Sequence, residues 1–180
     1  MVQSFRKNIK GVIGAFLIVI IASSVALQVQ RQATLAAPIE TKITASDGVS
    51  GDYFSWSVFI DGNYAIVGAP FDDDNGNDSG SAYIFKKTGG VWSQIKKLTA
   101  SDGAAGDHFG QSVSIAGNYA IVGAPWDNSE LGSAYMFKQD QGGADQWGQI
   151  KKLTASDGAA GDHFSESVAI DGDYAIVGAI

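Results

Sequence analysis

The chain has 180 residues, of which 45% are hydrophobic and 23 are glycine, and its formal net charge is −7. A chain of this length can form a single domain with a hydrophobic core, and the glycine content predicts many turns. Because the chain contains no cysteine, disulfides, a cysteine-ligated zinc site and a cysteine nucleophile are all excluded.

Residues 1–36 have the layout of a secretory signal, because three basic residues precede an uncharged stretch, residues 11–27, and the segment contains no acidic residue. As a hydrophobic helix this stretch would be about 26 Å long, against about 30 Å for the hydrocarbon core of a membrane. Small residues suited to cleavage occur at residues 24–26 and 34–36. We therefore expect a cleaved signal and a secreted or extracellular, cell-surface protein. The alternative is an uncleaved membrane anchor over residues 11–27.

The part of the chain after this segment is strongly acidic. Without residues 1–36, eight basic residues stand against 19 acidic ones, so the formal net charge becomes −11. Nucleic acid is therefore not expected as a partner, and a membrane is expected only if the N-terminal segment is uncleaved. The lysine pairs at residues 96–97 and 151–152 are expected to be solvated charges on an outer strand.

Residues 37–180 contain a repeat of 55 residues. The sequence Thr-Ala-Ser-Asp-Gly begins at Thr44, Thr99 and Thr154. The copies differ in length only in turn-rich segments, since the loop after Pro70 is three residues longer than the loop after Pro125. Apolar runs of constant length joined by variable loops indicate packed structural units.

The second copy predicts four strands in chain order. Alternating apolar residues predict a first strand at residues 109–115, followed by a tight turn at residues 116–118. A nearly all-apolar second strand follows at residues 119–125, a third at residues 132–137, and an amphipathic, lysine-bearing fourth at residues 147–154. Four short antiparallel strands in a unit of this length are typical of a β-propeller blade.

The predicted fold is therefore all-β and consists of propeller blades preceded by an N-terminal hydrophobic helix. Blade 1 spans about residues 52–100, blade 2 about residues 107–155, and a partial third blade about residues 162–180. Residues 39–45 read as the fourth strand of a preceding blade, which makes eleven strands. A closed propeller has about four to eight blades, so this one is incomplete. The chain is then a fragment, an open stack of blades, or a unit that associates with copies of itself through its open edges.

A family resemblance follows from two short motifs in each copy. Phe109-Gly110 followed by Gly123-Ala124-Pro125 resembles the FG-GAP repeat of integrin α subunits, whose repeats form a seven-bladed propeller, and of many exported bacterial proteins. Residues 54–55 with 68–70 and residues 164–165 with 178–180 are the corresponding pairs. The resemblance covers residues 39–180 and implies the fold strongly and the function weakly.

Each copy has a short Asp-(His/Tyr)-Phe segment just before its first strand. The segment begins at Asp52, Asp107 and Asp162. A base or metal ligand is one interpretation of the histidines beside two of them. The favoured one is that each aspartate organises the turn into the first strand. We predict no catalytic residue and no enzyme activity, because no nucleophile accompanies the histidines and catalytic sites are rarely repeated.

The resemblance also raises calcium, because several integrin repeats hold it in the hairpin between the first two strands. Here those hairpins, at residues 61–63, 116–118 and 171–173, contain too few oxygen ligands. No cofactor is therefore expected. Calcium stays possible only in the acidic loop between the second and third strands, where the weak candidate ligands are Asp72, Asp74 and Asp78. The alternative is a solvated polar loop.

Recognition residues are expected where the copies differ. Trp56 stands where the other copies have Gln111 and Glu166, and an aromatic residue follows the proline of two blades. The resemblance implies that the loops joining strands two to three, and four to the next blade, face the ligand. Exposed aromatic rings beside carboxylates suit a protein or carbohydrate ligand. The candidate ligand-binding residues are Trp56, Phe71, Trp126 and Asp127. Packing of the aromatic residues against a neighbouring blade is the alternative.

The sequence thus predicts an exported, non-enzymatic interaction module that acts in adhesion or in surface or ligand binding through its propeller loops. Two alternatives stay open. The chain is a blade segment of a longer exported propeller enzyme, or it is a truncated product without independent function.

Overall fold

The computed structural model describes residues 40–180, so the predicted signal or anchor at residues 1–36, with its hydrophobic helix, lies outside the described part. Residues Lys42–Ile180 form one compact unit. Among the described residues, no helix is long and apolar enough to cross a membrane.

The described part contains ten strands in three antiparallel sheets, in agreement with the predicted blades. Each of the first two sheets has its four strands in chain order, and the third sheet has two. The first sheet consists of β1 (Val58–Asp61), β2 (Tyr64–Ala69), β3 (Ser81–Thr88) and β4 (Val91–Leu98). The second consists of β5 (Ser112–Ala116), β6 (Tyr119–Ala124), β7 (Ser133–Lys138) and β8 (Gly148–Leu153), and the third of β9 (Ser167–Asp171) and β10 (Tyr174–Gly178).

A short helical turn, α1 (Asp127–Glu130), precedes β7. Its backbone is left-handed at Asn128 and Ser129, so it is a tight turn and not a regular helix. An all-β chain of four-stranded antiparallel sheets that do not close into a barrel is an incomplete set of propeller blades, as the sequence predicts.

The first strand of blade 2 begins later than predicted. In blade 2 it begins at Ser112 instead of Phe109, because Phe109 contacts the preceding blade. The backbone N–H of Phe109 donates to the carbonyl of Ser79 at 3.0 Å, and Phe109 forms an isolated bridge with Gly80. The Phe-Gly motif therefore belongs to the junction between blades.

The predicted strand at residues 39–45 is the second difference. Residues 40–45 contain no strand, so the described part has ten strands and not eleven. In the described part of the chain, no strand lies beside this segment to pair with it. Ile43 and Ala45 instead pack against the buried residues of β2 and β3, where they cover one face of blade 1.

The period-two alternation of the second strand divides its side chains between two hydrophobic clusters. Ile66 lies in the cluster shared by blades 1 and 2, with Phe109 and Trp147. Its neighbours Ala65 and Val67 point into a separate cluster on the opposite face of blade 1. Because both faces of β2 are covered, the strand can be almost entirely apolar.

Successive blades approach each other through glycine. A Cβ atom added to Gly68 would lie 1.9 Å from the carbonyl oxygen of Gly110, and one added to Gly80 would lie 2.0 Å from that of Phe109. The next junction is similar, since a Cβ on Gly123 would lie 2.4 Å from the carbonyl oxygen of Ser165. Any larger residue at these positions would separate the blades.

Candidate ligand-binding surface

Two loops from neighbouring blades meet on one face of the molecule. The loop between the second and third strands of each blade accepts backbone hydrogen bonds from the loop that leads into the next blade. The N–H of His108 donates to the carbonyl of Asp78 at 3.2 Å, and the N–H of His163 donates to that of Glu130 at 3.1 Å. Both loops are therefore held by the protein backbone before any ligand arrives.

The aspartate before each of these aromatic residues has the predicted turn role. Its carboxylate accepts a backbone N–H three residues earlier, at 2.7 Å from Val49 to Asp52, 2.7 Å from Ala104 to Asp107 and 2.8 Å from Ala159 to Asp162. The next residue is left-handed in all three copies, with φ of 51°, 54° and 45° at Tyr53, His108 and His163. Such a turn is uncommon for residues other than glycine, and the aspartate supports it.

Six rings form a continuous contact series on this face, which we call the aromatic row. Its members, in spatial order, are Trp56, Tyr53, Phe71, His108, Trp126 and His163. Successive ring centroids lie between 4.6 and 5.9 Å apart. The row crosses from blade 1 to blade 3.

The row is partly open to solvent. Tyr53 is 60% exposed, Trp56 54% and Trp126 40%, whereas Phe71 and His108 are half-buried between their neighbours. The structure thus brings together the three aromatic residues that the sequence singled out. Phe71 packs between the ring of Tyr53 in its own blade and the ring of His108 in the next, as the packing alternative predicts, and it lies within the row.

Sequence reasoning missed Tyr53, His108 and His163 as members of this surface. The sequence analysis assigns only the preceding aspartates a role, in the turn, although an aromatic ring follows the aspartate in every copy. That regularity is the signal that could have identified them.

Asp127 does not join the aromatic row. Its buried carboxylate accepts a hydrogen bond from the hydroxyl of Tyr135 at 3.1 Å and pairs with Nζ of Lys152 at 2.6 Å. In blade 1, Asp72 is buried in the same way against Tyr83, at 2.7 Å, and Lys97, at 3.0 Å. These aspartates fasten their loops to the outer strands.

The carboxylates of the acidic loop are divided between two places. Asp74 joins Asp72 at Lys97, where its carboxylate lies 2.6 Å from Nζ, whereas Asp78 lies beside His108. Within residues 40–180, no group of three or more His, Cys, Asp or Glu side chains is arranged to hold a metal ion. The geometry directs Asp72 and Asp74 to a lysine, and Asp78 does not meet them.

Lys97 and Lys152 are not the solvated charges that the sequence suggested. Lys97 is largely covered and pairs with three aspartates, and Lys152 pairs with Asp102 and Asp127. Burial alone would lower the pKa of Lys97, but its hydrogen bonds to the aspartates raise that pKa overall. These two partly covered lysines link loop carboxylates to the outer strand of the blade.

The repeated Thr-Ala-Ser-Asp-Gly motif supplies the other half of this fastening. The backbone N–H of Ser46 donates to Oε1 of Gln94 at 2.9 Å, and Nε2 of Gln94 donates to Oγ of Ser46 at 3.0 Å. Ser101 and Gln149 repeat this pair at 3.0 and 2.9 Å. The next residue of the motif, Asp47 or Asp102, pairs with Lys97 or Lys152 on the same outer strand. The motif therefore connects each of these loops to the blade that follows it.

Charge near the aromatic row is acidic. Burial lowers the pKa of His108, while the nearby carboxylates of Asp78 and Asp107 act in the opposite direction. At the margin, Nε2 of Gln111 donates to the carboxylate of Glu166 at 2.9 Å. Glu130 is exposed, and its carbonyl oxygen accepts the backbone N–H of His163.

The first hairpins of the three sheets enclose a second concave surface at the other end of the strands. It is an open groove of about 730 Å³ lined by residues such as Asp61, Ile115 and Asp171. The carboxylate of Asp61 accepts the N–H of Gly117 at 2.7 Å, which links the hairpins of blades 1 and 2.

The sequence profile of the FG-GAP repeat matches residues 39–85, 92–137 and 147–180, which together cover well over half of the chain. No curated protein matches the chain significantly. Repeats of this kind indicate a propeller-type binding module that is often extracellular. The second and third matched segments each begin on the fourth strand of one blade and continue into the next blade, and all ten strands lie at least partly within a matched segment. The chain therefore belongs to the FG-GAP repeat family.

Proposed function

We propose that this protein is an exported, non-enzymatic interaction module that binds a protein or carbohydrate ligand through its aromatic row, in adhesion or another form of surface binding. The observation that carries this proposal is the unbroken contact of six rings across three blades, three of them substantially exposed. Export is supported by the layout of residues 1–36.

Exposed aromatic rings favour binding because they remove a large apolar area from water and lose few rotational degrees of freedom. The loops that carry His108 and His163 are joined by backbone hydrogen bonds to the loops that carry Phe71 and Trp126, so the cost of ordering these four loops has been met during folding. A rigid, partly exposed row is thus suited to recognition.

The surroundings of the histidines support binding over catalysis. The ring of His108 contacts the rings of Phe71 and Trp126. Nδ1 of His163 lies 3.3 Å from the carbonyl oxygen of Pro125, and its ring packs against Trp126. A general base would instead face a nucleophile or a water-accessible reacting group.

The test compares the full chain with a double variant, Trp56→Ala with Trp126→Ala, on an array of purified cell-surface proteins and polysaccharides. We expect the double variant to lose the binding that the unaltered protein shows, with its melting temperature kept. The matched control is Val91→Ala with Ile150→Ala, which also removes two exposed apolar side chains, but from outer strands. Equal binding by the double variant and the unaltered chain would contradict the proposal.

A further inference from the structure

We infer that copies of this protein join head to tail, with the two strands of blade 3 in one copy packed on the first strand of blade 1 in another. The surfaces concerned lie away from the aromatic row, and the inference does not depend on the proposed function. It follows from a joint that the molecule itself contains twice, between blades 1 and 2 and between blades 2 and 3.

The joint between blades 1 and 2 shows which surfaces fit together. On the blade 1 side, Ile66 of β2 is fully buried in the hydrophobic cluster that the two blades share. On the blade 2 side, Val113 and Ile115 of β5 are buried in the same cluster. β5 contacts both β1 and β2, and in the next joint β9 contacts both β5 and β6. Each joint therefore packs the first strand of one blade on the first two strands of the blade before it.

The two halves of this joint are both exposed elsewhere in the described part of the chain. Ile176 on β10 stands two repeats after Ile66, and it is 73% exposed. Val58 and Ile60 on β1 stand one repeat before the buried pair on β5, and they are 62% and 61% exposed. Blade 3 thus presents one half of a joint, and blade 1 presents the other half.

The uncovered part of blade 1 has the extent that blade 3 can cover. Ile43 and Ala45 pack against the buried residues of β2 and β3, and the residues of β1 lie outside that cluster. In the joint between blades 1 and 2, the equivalent positions are Leu98 and Ala100, which come from the outer strand of blade 1 and the residues just after it. The chain therefore fills the outer position of a preceding blade by itself, and it leaves β1 for two inner strands such as β9 and β10.

The close glycine contact of the joint can also recur between copies. A Cβ atom added to Gly68 or Gly123 would meet a carbonyl oxygen of the next blade. At the equivalent Gly178, the nearest atoms belong to Ser167 in the adjacent strand of the same sheet. Gly178 can therefore receive the carbonyl group of Ser55 from a second copy, since Ser55 stands where the other joints supply that carbonyl.

A hydrogen bond between hairpins gives the joint its direction. The carboxylate of Asp61 accepts the backbone N–H of Gly117 in the next blade at 2.7 Å. The equivalent pair between two copies is Asp171 of one and Gly62 of the other, and both residues are exposed. The joint needs one surface of each kind, so contact between two identical faces cannot reproduce it.

A joint between unlike surfaces has a consequence for the size of the assembly. Each added copy leaves one surface of each kind free, so association continues into an open series or closes into a ring. The copies repel one another, because the formal net charge without residues 1–36 is −11. Since salt screens this repulsion, we expect association to strengthen as the ionic strength rises.

The test uses sedimentation velocity on the full chain and on two variants that each block one surface, Ile60→Lys and Ile176→Lys. The unaltered chain should associate in a concentration-dependent way. Each variant alone should associate at least about tenfold more weakly, because every joint would bury an unpaired lysine. An equimolar mixture of the two variants should form a one-to-one dimer and nothing larger, because only one intact surface of each kind is then available.

The matched control is Val91→Lys, which adds the same charge at a 63% exposed position on the outer strand β4. It should associate as the unaltered chain does. Unchanged melting temperatures of the variants would show that lost association does not come from unfolding. Undiminished association of either blocked variant alone would show that like faces pair, and it would overturn the inference. A mixture that stays monomeric, or an unaltered chain that is monomeric at all concentrations, would overturn it equally.

Discussion

The residue after the phenylalanine of each Phe-Gly motif has an unusual backbone. Gly110 has φ of 97°, and the serines that replace it, Ser55 and Ser165, have φ of 80° and 85°. Ser165 compensates for this strain, because its Oγ donates to the carbonyl of Ser133 at 2.6 Å and accepts the N–H of Ala124 at 3.0 Å. Ser55 is exposed.

We therefore expect opposite effects of the same substitution at these two serines. Ser55→Gly should stabilise the protein by about 0.5 to 1 kcal/mol, since it removes backbone strain at an exposed site. Ser165→Gly should destabilise it by about 1 kcal/mol, because two buried hydrogen bonds are lost. Urea denaturation measures both, and shifts of the two midpoints in the same direction would contradict this explanation.

His108 introduces a dependence of stability on pH. Burial holds its pKa below the ordinary value of 6.5, so the unfolded state binds the proton more readily than the folded state. The associated stability is present above pH 6.5 and is lost as the pH falls through the lower pKa of the folded state. Asp78 and Asp107 face the ring and reduce the effect, and the Phe71 and Trp126 rings pack on it.

Substitution of His108 by tyrosine should remove this dependence. Tyr53 holds the equivalent position in blade 1 with a similar left-handed backbone, so a tyrosine ring fits the turn. Between pH 7 and pH 5, the unaltered protein should lose more unfolding free energy than His108→Tyr. Chemical denaturation at both pH values measures the difference, and equal losses would show that His108 does not titrate in this window.

At the scale of the strands and loops, the buried ion pairs of the outer strands fasten each blade. Lys97→Met should destabilise the protein by about 2 to 3 kcal/mol, because it leaves the buried carboxylate of Asp72 without a cation. Lys96→Met is the matched control. Lys96→Met removes the same charge from the neighbouring position, where Nζ of Lys96 donates to Gln146 at an exposed site. The control should change the unfolding free energy by less than about 0.5 kcal/mol. Similar losses in the two variants would place the effect in net charge and not in the ion pair.

The junction between blades depends on the small size of Gly68. Gly68→Ala should destabilise the protein by roughly 3 kcal/mol, since the new methyl group meets the backbone of the next blade, which cannot move aside easily. At the equivalent Gly178, an added Cβ meets the side-chain oxygen of Ser167, 2.6 Å away in the adjacent strand, which can rotate. Gly178→Ala should therefore cost much less. Thermal unfolding of the two variants checks the difference, and equal changes in melting temperature would refute the steric account.

The strands could be predicted from the sequence, whereas the hydrogen bonds and ion pairs that connect the loops to the outer strands could not. The reasons are physical. The second strand of each blade is covered on both faces, so its apolar run, as in residues 119–125, is visible in the sequence. The pairs Ser46 with Gln94 and Asp47 with Lys97 lie far apart in the chain, and only the folded sheet brings them together. Repetition alone does not say which recurring residues touch.

The aromatic row was predictable in part. Trp56 differs from its counterparts in the other copies, and this difference marked it as a surface residue. His108 and His163 recur with the turn aspartates, and recurrence favoured a purely structural role. The structure shows that a residue can be repeated because it builds the turn and also contribute its ring to a surface.

At the scale of the whole molecule, the first and last sheets each expose an apolar face. Val58 and Ile60 on β1 are 62% and 61% exposed, and Tyr174 and Ile176 on β10 are 82% and 73% exposed. We expect self-association of the chain through these faces, because each resembles one side of a blade junction. Sedimentation of the full chain over a range of concentrations should show association that Ile60→Lys and Ile176→Lys reduce. A monodisperse monomer at all concentrations would contradict this expectation.

The glycine contacts between blades have a consequence for how such a protein can change over generations. Every complete blade carries both surfaces of the same joint, with a Phe-Gly or Phe-Ser segment on one side and a close-packed glycine on the other. Duplication or loss of one 55-residue unit would reproduce a compatible joint at the new boundary, with no compensating substitution. The number of blades, and with it the length of the aromatic row, is then free to vary by gene rearrangement, while point changes at the joint itself are the ones that selection should remove.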